Sequence, residues 1–284
     1  MSWNVSVDDR VSRAKKGITE MLRFLSGMQC HSAKIFFKLF DIQIIPMLLY
    51  GAEIWGYRKY DSLEKVHLYA CKRFLKVSLR TVNNLVYGEL GRHPLYINSA
   101  VRCVRYWLRL QTQDDSKYSK CAYHMLVDLN KRGHVNWVSH IQNLLCCSGF
   151  AYVWSFGSVG SDKIFLAEFM ERLKDCYCQE WFSFLDNHVH CNIYSESKIC
   201  LEKEKYIESI SMINYRVSLS RFRLGVSEIN CHKYRYSPIF DKRKCPFCIN
   251  YFENEEHVLC VCPKYSELRA KFLSINNYVP YHIQ

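Results

Sequence analysis

The chain has 284 residues, 49% of them hydrophobic, with 39 lysines and arginines against 27 acidic residues, for a net charge of +12. That length permits two domains, or one domain with a small appended module, and the hydrophobic content excludes a chain that is disordered throughout. The charge is uneven: residues 1–111 carry 18 basic and 8 acidic side chains, residues 112–210 carry 10 and 13, and residues 211–284 carry 11 and 6, so both ends suit a polyanion such as RNA or DNA.

The 15 cysteines are scattered without the compact spacing of a small secreted disulfide scaffold. The chain opens on Met1-Ser2-Trp3-Asn4 and mixed charge, with no basic segment leading into an apolar run. A reducing compartment, nucleus or cytoplasm, is expected, and secretion is not. The longest apolar stretch, Ile42 to Trp55, is interrupted by Gln43, Pro46 and Glu53 and is too short to span a bilayer, so no membrane partner is expected.

Helical periodicity dominates the first third. Segments near 10–29 and 33–50 read as helices, the second bent near Pro46, because proline lacks a backbone donor and clashes with the preceding turn. Asp61-Ser62-Leu63-Glu64 has the pattern of a capping box, and Leu63, Val66, Ala70, Phe74 and Val77 then recur at helix spacing. Lys65, Lys72, Arg73 and Lys76 fall on the other faces and predict a cationic exterior. A further helix starts at Pro94, after a stop at Gly91, and buries Ile97, Val101, Val104 and Leu108. On it, Arg102, Arg105 and Arg109 form one basic stripe, suited to backbone phosphates or simply a solvated face. Tyr50, Trp55, Tyr57 and Trp107 could stack on bases, but beside leucine and isoleucine at helical spacing such rings are more often core.

Beyond residue 112 the pattern predicts helices near 117–130, 135–147, 162–186, 201–222 and 267–272, with a break at Ser155 to Ser161. No internal repeat is visible. The expected class is mainly α, with a thumb-like helical region at 1–112, a helical connector at 113–200, and a helix plus a small zinc module at 201–284.

Near the end, Cys245-Pro246-Phe247-Cys248 is followed by His257 and Cys262, the spacing C-x2-C-x8-H-x4-C. Two cysteines three apart on a tight turn can supply one edge of a tetrahedral zinc shell, and a histidine and cysteine five apart the other. With all four positions filled by protein, such a zinc is structural, not catalytic. Cys260 is an alternative fourth ligand. Cys262 is preferred because Pro263 ends the helix there and leaves its sulfur at the exposed end. Lys242, Arg243, Lys244, Lys264 and Arg269 surround the motif as candidate phosphate contacts, while Glu253, Glu255 and Glu256 oppose them. His188-Val189-His190-Cys191 has no tetrahedral spacing and reads as surface or helix end.

No H-E-x-x-H, G-x-x-x-x-G-K-[ST] or G-x-S-x-G motif is present. The aspartate pairs Asp8-Asp9 and Asp114-Asp115 sit among polar residues and read as helix ends or loops.

Three strings, in order, resemble the C-terminal part of the reverse transcriptases of LINE-type, non-LTR retrotransposons. The first is Leu39-Phe40-Asp41 with Pro46 through Gly56. The second is Val86-Tyr87-Gly88-Glu89-Leu90-Gly91-Arg92-His93-Pro94-Leu95 with Tyr106-Trp107-Leu108. The third is Arg221-Phe222-Arg223-Leu224, Lys244-Cys245-Pro246-Phe247-Cys248, Glu256-His257 and Cys262-Pro263-Lys264-Tyr265 with Arg269. The resemblance implies a thumb-like region following a polymerase palm, a connector and a CCHC zinc knuckle associated with nucleic-acid binding. It also implies that the palm carboxylates and an endonuclease lie outside these residues, so no enzyme activity is expected. The rival expectation is a helical protein-interaction piece with a purely structural zinc.

Overall fold

The computed structural model describes residues 3–187, 192–248 and 250–272, and no β-strand occurs among them. The fold is mainly α, with a Cys3His cluster near the C-terminus. His188, His190 and Cys191 fall outside the described residues. No described helix is long and apolar enough to cross a membrane.

Helix α1 (Asn4–Gly27) starts earlier than periodicity placed it and buries Val7, Val11, Ala14, Ile18, Met21 and Leu25 along one stripe. Ser32 caps α2 (Ala33–Leu39) by accepting the Ile35 N–H. The expected bend at Pro46 is taken up just upstream. The chain widens into a π-turn over Phe40–Ile44, and Pro46 then lies in the first turn of α3 (Ile45–Leu48), where a missing N–H costs little. Gly51, at φ 72°, turns the chain into α4 (Ala52–Trp55).

Helix α5 (Asp61–Leu75) departs from expectation twice. No side chain caps its start; Glu64 instead accepts the Tyr96 N–H at 2.9 Å and the Tyr87 hydroxyl at 2.8 Å. Lys72, expected outside, is buried, because the loop after α5 folds over it and offers Leu79 O at 2.8 Å and Asn83 Oδ1 at 2.7 Å. Helix α6 (Asn83–Leu90) ends at Gly91, at φ 60°, as the sequence predicts. Pro94 then precedes α7 (Leu95–Thr112).

The next stretch folds as α8 (Tyr118–Lys131), α9 (Trp137–Cys147), α10 (Ala151–Phe156) and α11 (Asp162–Asn187). Asn136 and Ser139 form a capping box at the start of α9. Sequence periodicity misses α10 and expects one helix at 201–222. The structure has α12 (Asn192–Ser197), a loop, α13 (Tyr206–Ser209) and then α14 (Ile213–Arg223). The loop persists because tertiary partners hold it: Lys198 Nζ pairs with Glu204 Oε1 at 2.5 Å, and the Glu204 N–H donates to Glu89 O at 3.1 Å.

Two hydrophobic cores result, the first assembled from segments far apart in sequence and the second from the continuous stretch 100–169. One packs α1 to α6 with Trp181, Leu185, Tyr194, Ile207 and Leu224. The other packs α7 from Ala100 onward against α8, α9, α10 and the first half of α11. Helices α7 and α11 run through both and join them. Each large side chain fully buried here, such as Trp107 or Phe169, contributes about 1.5–3 kcal/mol relative to exposure. Of the aromatics weighed as base-stacking platforms, Trp55 and Trp107 are core, Tyr57 stacks on His140, and Tyr50 is exposed beneath Arg10.

Candidate metal centre

The C-terminal module begins where α14 ends at Gly225, whose φ of 64° lets its carbonyl accept from Arg235 Nη2 at 2.8 Å. A short helix, α15 (Asn230–Lys233), then packs against a narrow hairpin-like turn. Lys244 and Phe252 form an antiparallel bridge. The Cys245 N–H donates to Tyr251 O at 2.8 Å and the Glu253 N–H to Arg243 O at 2.9 Å. This fixes Cys245-Pro246-Phe247-Cys248 at the closed end of the turn.

The second pair of ligands comes from a π-turn, His257–Val261, opened by the His257 N–H donating to Asn254 Oδ1 at 2.8 Å. A π-turn stacks residues five apart. The Cys262 N–H accordingly donates to His257 O at 2.7 Å, and both side chains face the cysteine turn. Pro263 follows and opens a short 3-10 turn ahead of α16 (Ser266–Phe272).

The potential ligand atoms of Cys245, Cys248, His257 and Cys262 lie within 4.8 Å of one another. Cys262 Sγ stands 3.9 Å from Cys245 Sγ and 3.7 Å from Cys248 Sγ. A tetrahedral ion with metal–sulfur bonds of about 2.3 Å requires sulfur–sulfur edges of about 3.8 Å, and both distances from Cys262 match such an edge. His257 is buried with neither ring nitrogen hydrogen-bonded to any described residue, an arrangement that a metal bond relieves. Burial holds the imidazole below its ordinary pKa, in the neutral form that ligates. Burial, with the neighbouring Cys262 and Cys245 sulfurs, pushes the Cys248 thiol up to about 11; a cation reverses that tendency. Cys260 is not part of the cluster.

Two of the three acidic residues of the turn are consumed internally, and Glu256 stays exposed. Glu253 is buried and accepts the Asn230 N–H at 2.7 Å, and Glu255 pairs with His232 at 2.6 Å. They tie α15 to the cysteine turn, a role their spacing in the sequence does not disclose.

The candidate phosphate contacts divide. Lys242 and Lys264 are exposed, with Lys264 Nζ 5.3 Å from the centre of the exposed Phe247 ring. Lys244 is exposed beside Asp241 at 2.8 Å. Arg243 is turned inward, donating to the carbonyls of Tyr234, Arg235 and Ser237, and Arg269 donates to Val258 O at 3.3 Å. On α7, Arg105 and Arg109 are exposed, whereas Arg102 is half-buried with Nη1 on Leu49 O at 2.9 Å. The stripe is therefore two free arginines and one held by the fold. Asp114 accepts the Ser116 N–H in an exposed loop, as the sequence predicts.

No protein-family model matches this chain, and neither the curated proteins nor the solved structures contain a match to it.

Proposed function

We propose that this chain binds RNA or DNA through a C-terminal module folded around zinc, and that it is the C-terminal part of a LINE-type retrotransposon reverse transcriptase, acting in binding and not in catalysis. The ordered strings that resemble that family support the second statement. Zinc is the ion best suited to three thiolates and one imidazole at tetrahedral spacing, and four protein ligands leave it a structural role.

The observation that carries the binding reading is the surface the module displays. Phe247, between the two turn cysteines, is 55% exposed with Lys264 against its face. Tyr251, Phe252 and Phe240 are exposed on the same module, beside Lys242 and Lys244. Exposed rings interleaved with lysines form a platform on which bases stack while phosphates meet cations. The inward acids, Glu253 and Glu255, leave that surface less acidic than the sequence alone suggests.

Anisotropy titrations of zinc-quantified protein with single-stranded RNA, single-stranded DNA and duplex, across a salt series, test this. Phe247→Ala is expected to weaken binding by about 1–2 kcal/mol, within the range for one stacked base, without releasing metal. Stoichiometric zinc without oligonucleotide binding at low salt sinks the proposal. It would favour the rival, a helical protein-interaction piece, for which the exposed Val5 and Phe24 of α1 and Ile42 of the π-turn speak. Steep weakening with rising salt separates the two.

A further inference from the structure

A second basic constellation lies in the helical body. Where the C-terminal end of α5 faces α14, a groove of about 730 Å³ opens beside the last turn of α1. Two cations in its lining are more than nine-tenths buried, Lys72 and Arg216. Their hydrogen bonds go to neutral groups: Lys72 to Leu79 O and Asn83 Oδ1, Arg216 Nη1 to Ile207 O at 3.3 Å, with its guanidinium 5.1 Å from the centre of the Phe74 ring. No carboxylate among the described residues offsets either charge, and burial draws both below their ordinary pKa values.

Buried charges in proteins are ordinarily paired, because an unpaired one loses hydration without recovering it. Here further positive charge gathers at the mouth instead. Arg73 and Lys76 are exposed there, and Arg221 holds Lys76 O through Nε at 3.0 Å and Nη2 at 2.9 Å. Glu228 is the one acid in the described lining. The walls are partly apolar, with Phe36 and Phe74 among them. Val226 and Glu228, also in the lining, stand a few residues before α15 (Asn230–Lys233), so the groove adjoins the C-terminal module along the chain.

We propose that this groove binds the phosphodiester backbone of a single-stranded nucleic acid, with Arg73 and Lys76 contacting phosphates at its mouth and Lys72 and Arg216 supplying a buried positive field. This rests on the nucleic-acid reading above and adds a second contact region to it. Phe36 and Phe74 are themselves packed into the core, so the groove's contacts are to the backbone, and its volume of about 730 Å³ admits one strand and not a duplex.

The test is the double substitution Arg73→Gln, Lys76→Asn in the full chain. Both residues are exposed, and asparagine tolerates the left-handed backbone of Lys76, at φ 53°. Binding to a single-stranded oligonucleotide is measured across a salt series, beside Phe247→Ala and a competing oligo-glutamate peptide. The groove predicts about ten-fold weaker binding and a salt slope reduced by about 1.4, at about 0.7 per lost phosphate contact, with zinc content and melting temperature unchanged. Unaltered affinity and slope in the double variant, with binding still lost in Phe247→Ala, overturn the groove and leave the module reading standing. Loss in the double variant but not in Phe247→Ala overturns the stacking role and keeps the groove. Equal competition by the acidic peptide shows a carboxylate site and overturns the phosphate assignment. Absence of any oligonucleotide binding by the unsubstituted protein removes both.

Discussion

Cys248 Sγ lies 3.7 Å from Cys262 Sγ, nearly twice the length of a disulfide bond and close to the edge of a tetrahedron of thiolates around zinc. The backbone sets this distance. The bridge between Lys244 and Phe252 fixes one end and the π-turn from His257 the other.

Because that cluster, and not a large apolar core, organises the module, chelation should unfold it selectively. Hydrogen exchange after zinc removal is expected to rise across residues 230–272 and to stay low in α1, α5 and α7, whose side chains fill the two cores. Cys262→Ser should abolish stoichiometric zinc, and Cys260→Ser should retain it. Metal analysis of the two variants decides between the ligands.

Glu89 is fully buried and held by Arg223 Nε at 2.8 Å, and Arg223 also reaches Glu204 at 3.3 Å. Burial raises the Glu89 pKa more than the Arg223 charge lowers it. Arg223→Met strands the carboxylate and is expected to cost about 3–5 kcal/mol at neutral pH. At about pH 4.5 Glu89 can protonate, so the cost should shrink there. Urea denaturation of both proteins at the two pH values measures it, and an equal cost at both contradicts the assignment.

His67 gives a pH dependence of the opposite sense. Arg92 Nε donates to its Nε2 at 3.3 Å, so Nδ1 carries the proton, facing Tyr87 Oη at 3.3 Å. Burial, aided by Arg92, holds the pKa below its ordinary value although Glu64 pulls the other way. The folded imidazole is neutral, whereas the unfolded one gains a proton below about pH 6.5. Its contribution is therefore complete above about pH 6.5 and is lost as pH falls, at up to about 1.4 kcal/mol per unit until the folded pKa is reached. His67→Gln should flatten that slope in urea melts between about pH 7.5 and 5.5. Metal-linked acid sensitivity is common to both proteins and cancels.

Much of this was legible in sequence, for reasons that differ by element. The stripes of α1, α5 and α7 declare themselves because apolar spacing alone defines a buried face. The candidate metal cluster does so because its geometry is local, set within eighteen residues. Lys72 is buried against expectation because Leu79 O and Asn83 Oδ1 draw it inward, as three loop carbonyls draw Arg243, and periodicity carries no record of loops. The breaks around α13 follow equally from partners far away in sequence, Glu89 above all.

The segment Gly88-Glu89-Leu90-Gly91 concentrates this lesson and yields the last prediction. Gly91 was readable as a helix stop from its position. Gly88 was not, since a glycine inside a helix is weakening by itself, by roughly 1 kcal/mol relative to alanine. Here α11 and α12 cross over it. A Cβ at Gly88 would stand 2.6 Å from Trp181 Cζ2 and 2.6 Å from Tyr194 Oη. Trp181 Nε1 donates to Asn84 O at 2.8 Å and the Tyr194 hydroxyl to Leu85 O at 3.1 Å, so both side chains are anchored to α6 and neither can retreat without breaking a bond. Gly88→Ala should therefore destabilise the protein by about 1–3 kcal/mol despite its better helix propensity. Pairing it with Trp181→Phe, which removes the nearer ring atoms, should recover part of that loss. A double-mutant cycle from urea denaturation measures the coupling. A neutral or stabilising Gly88→Ala would mean that α11 does not dock on α6 as described.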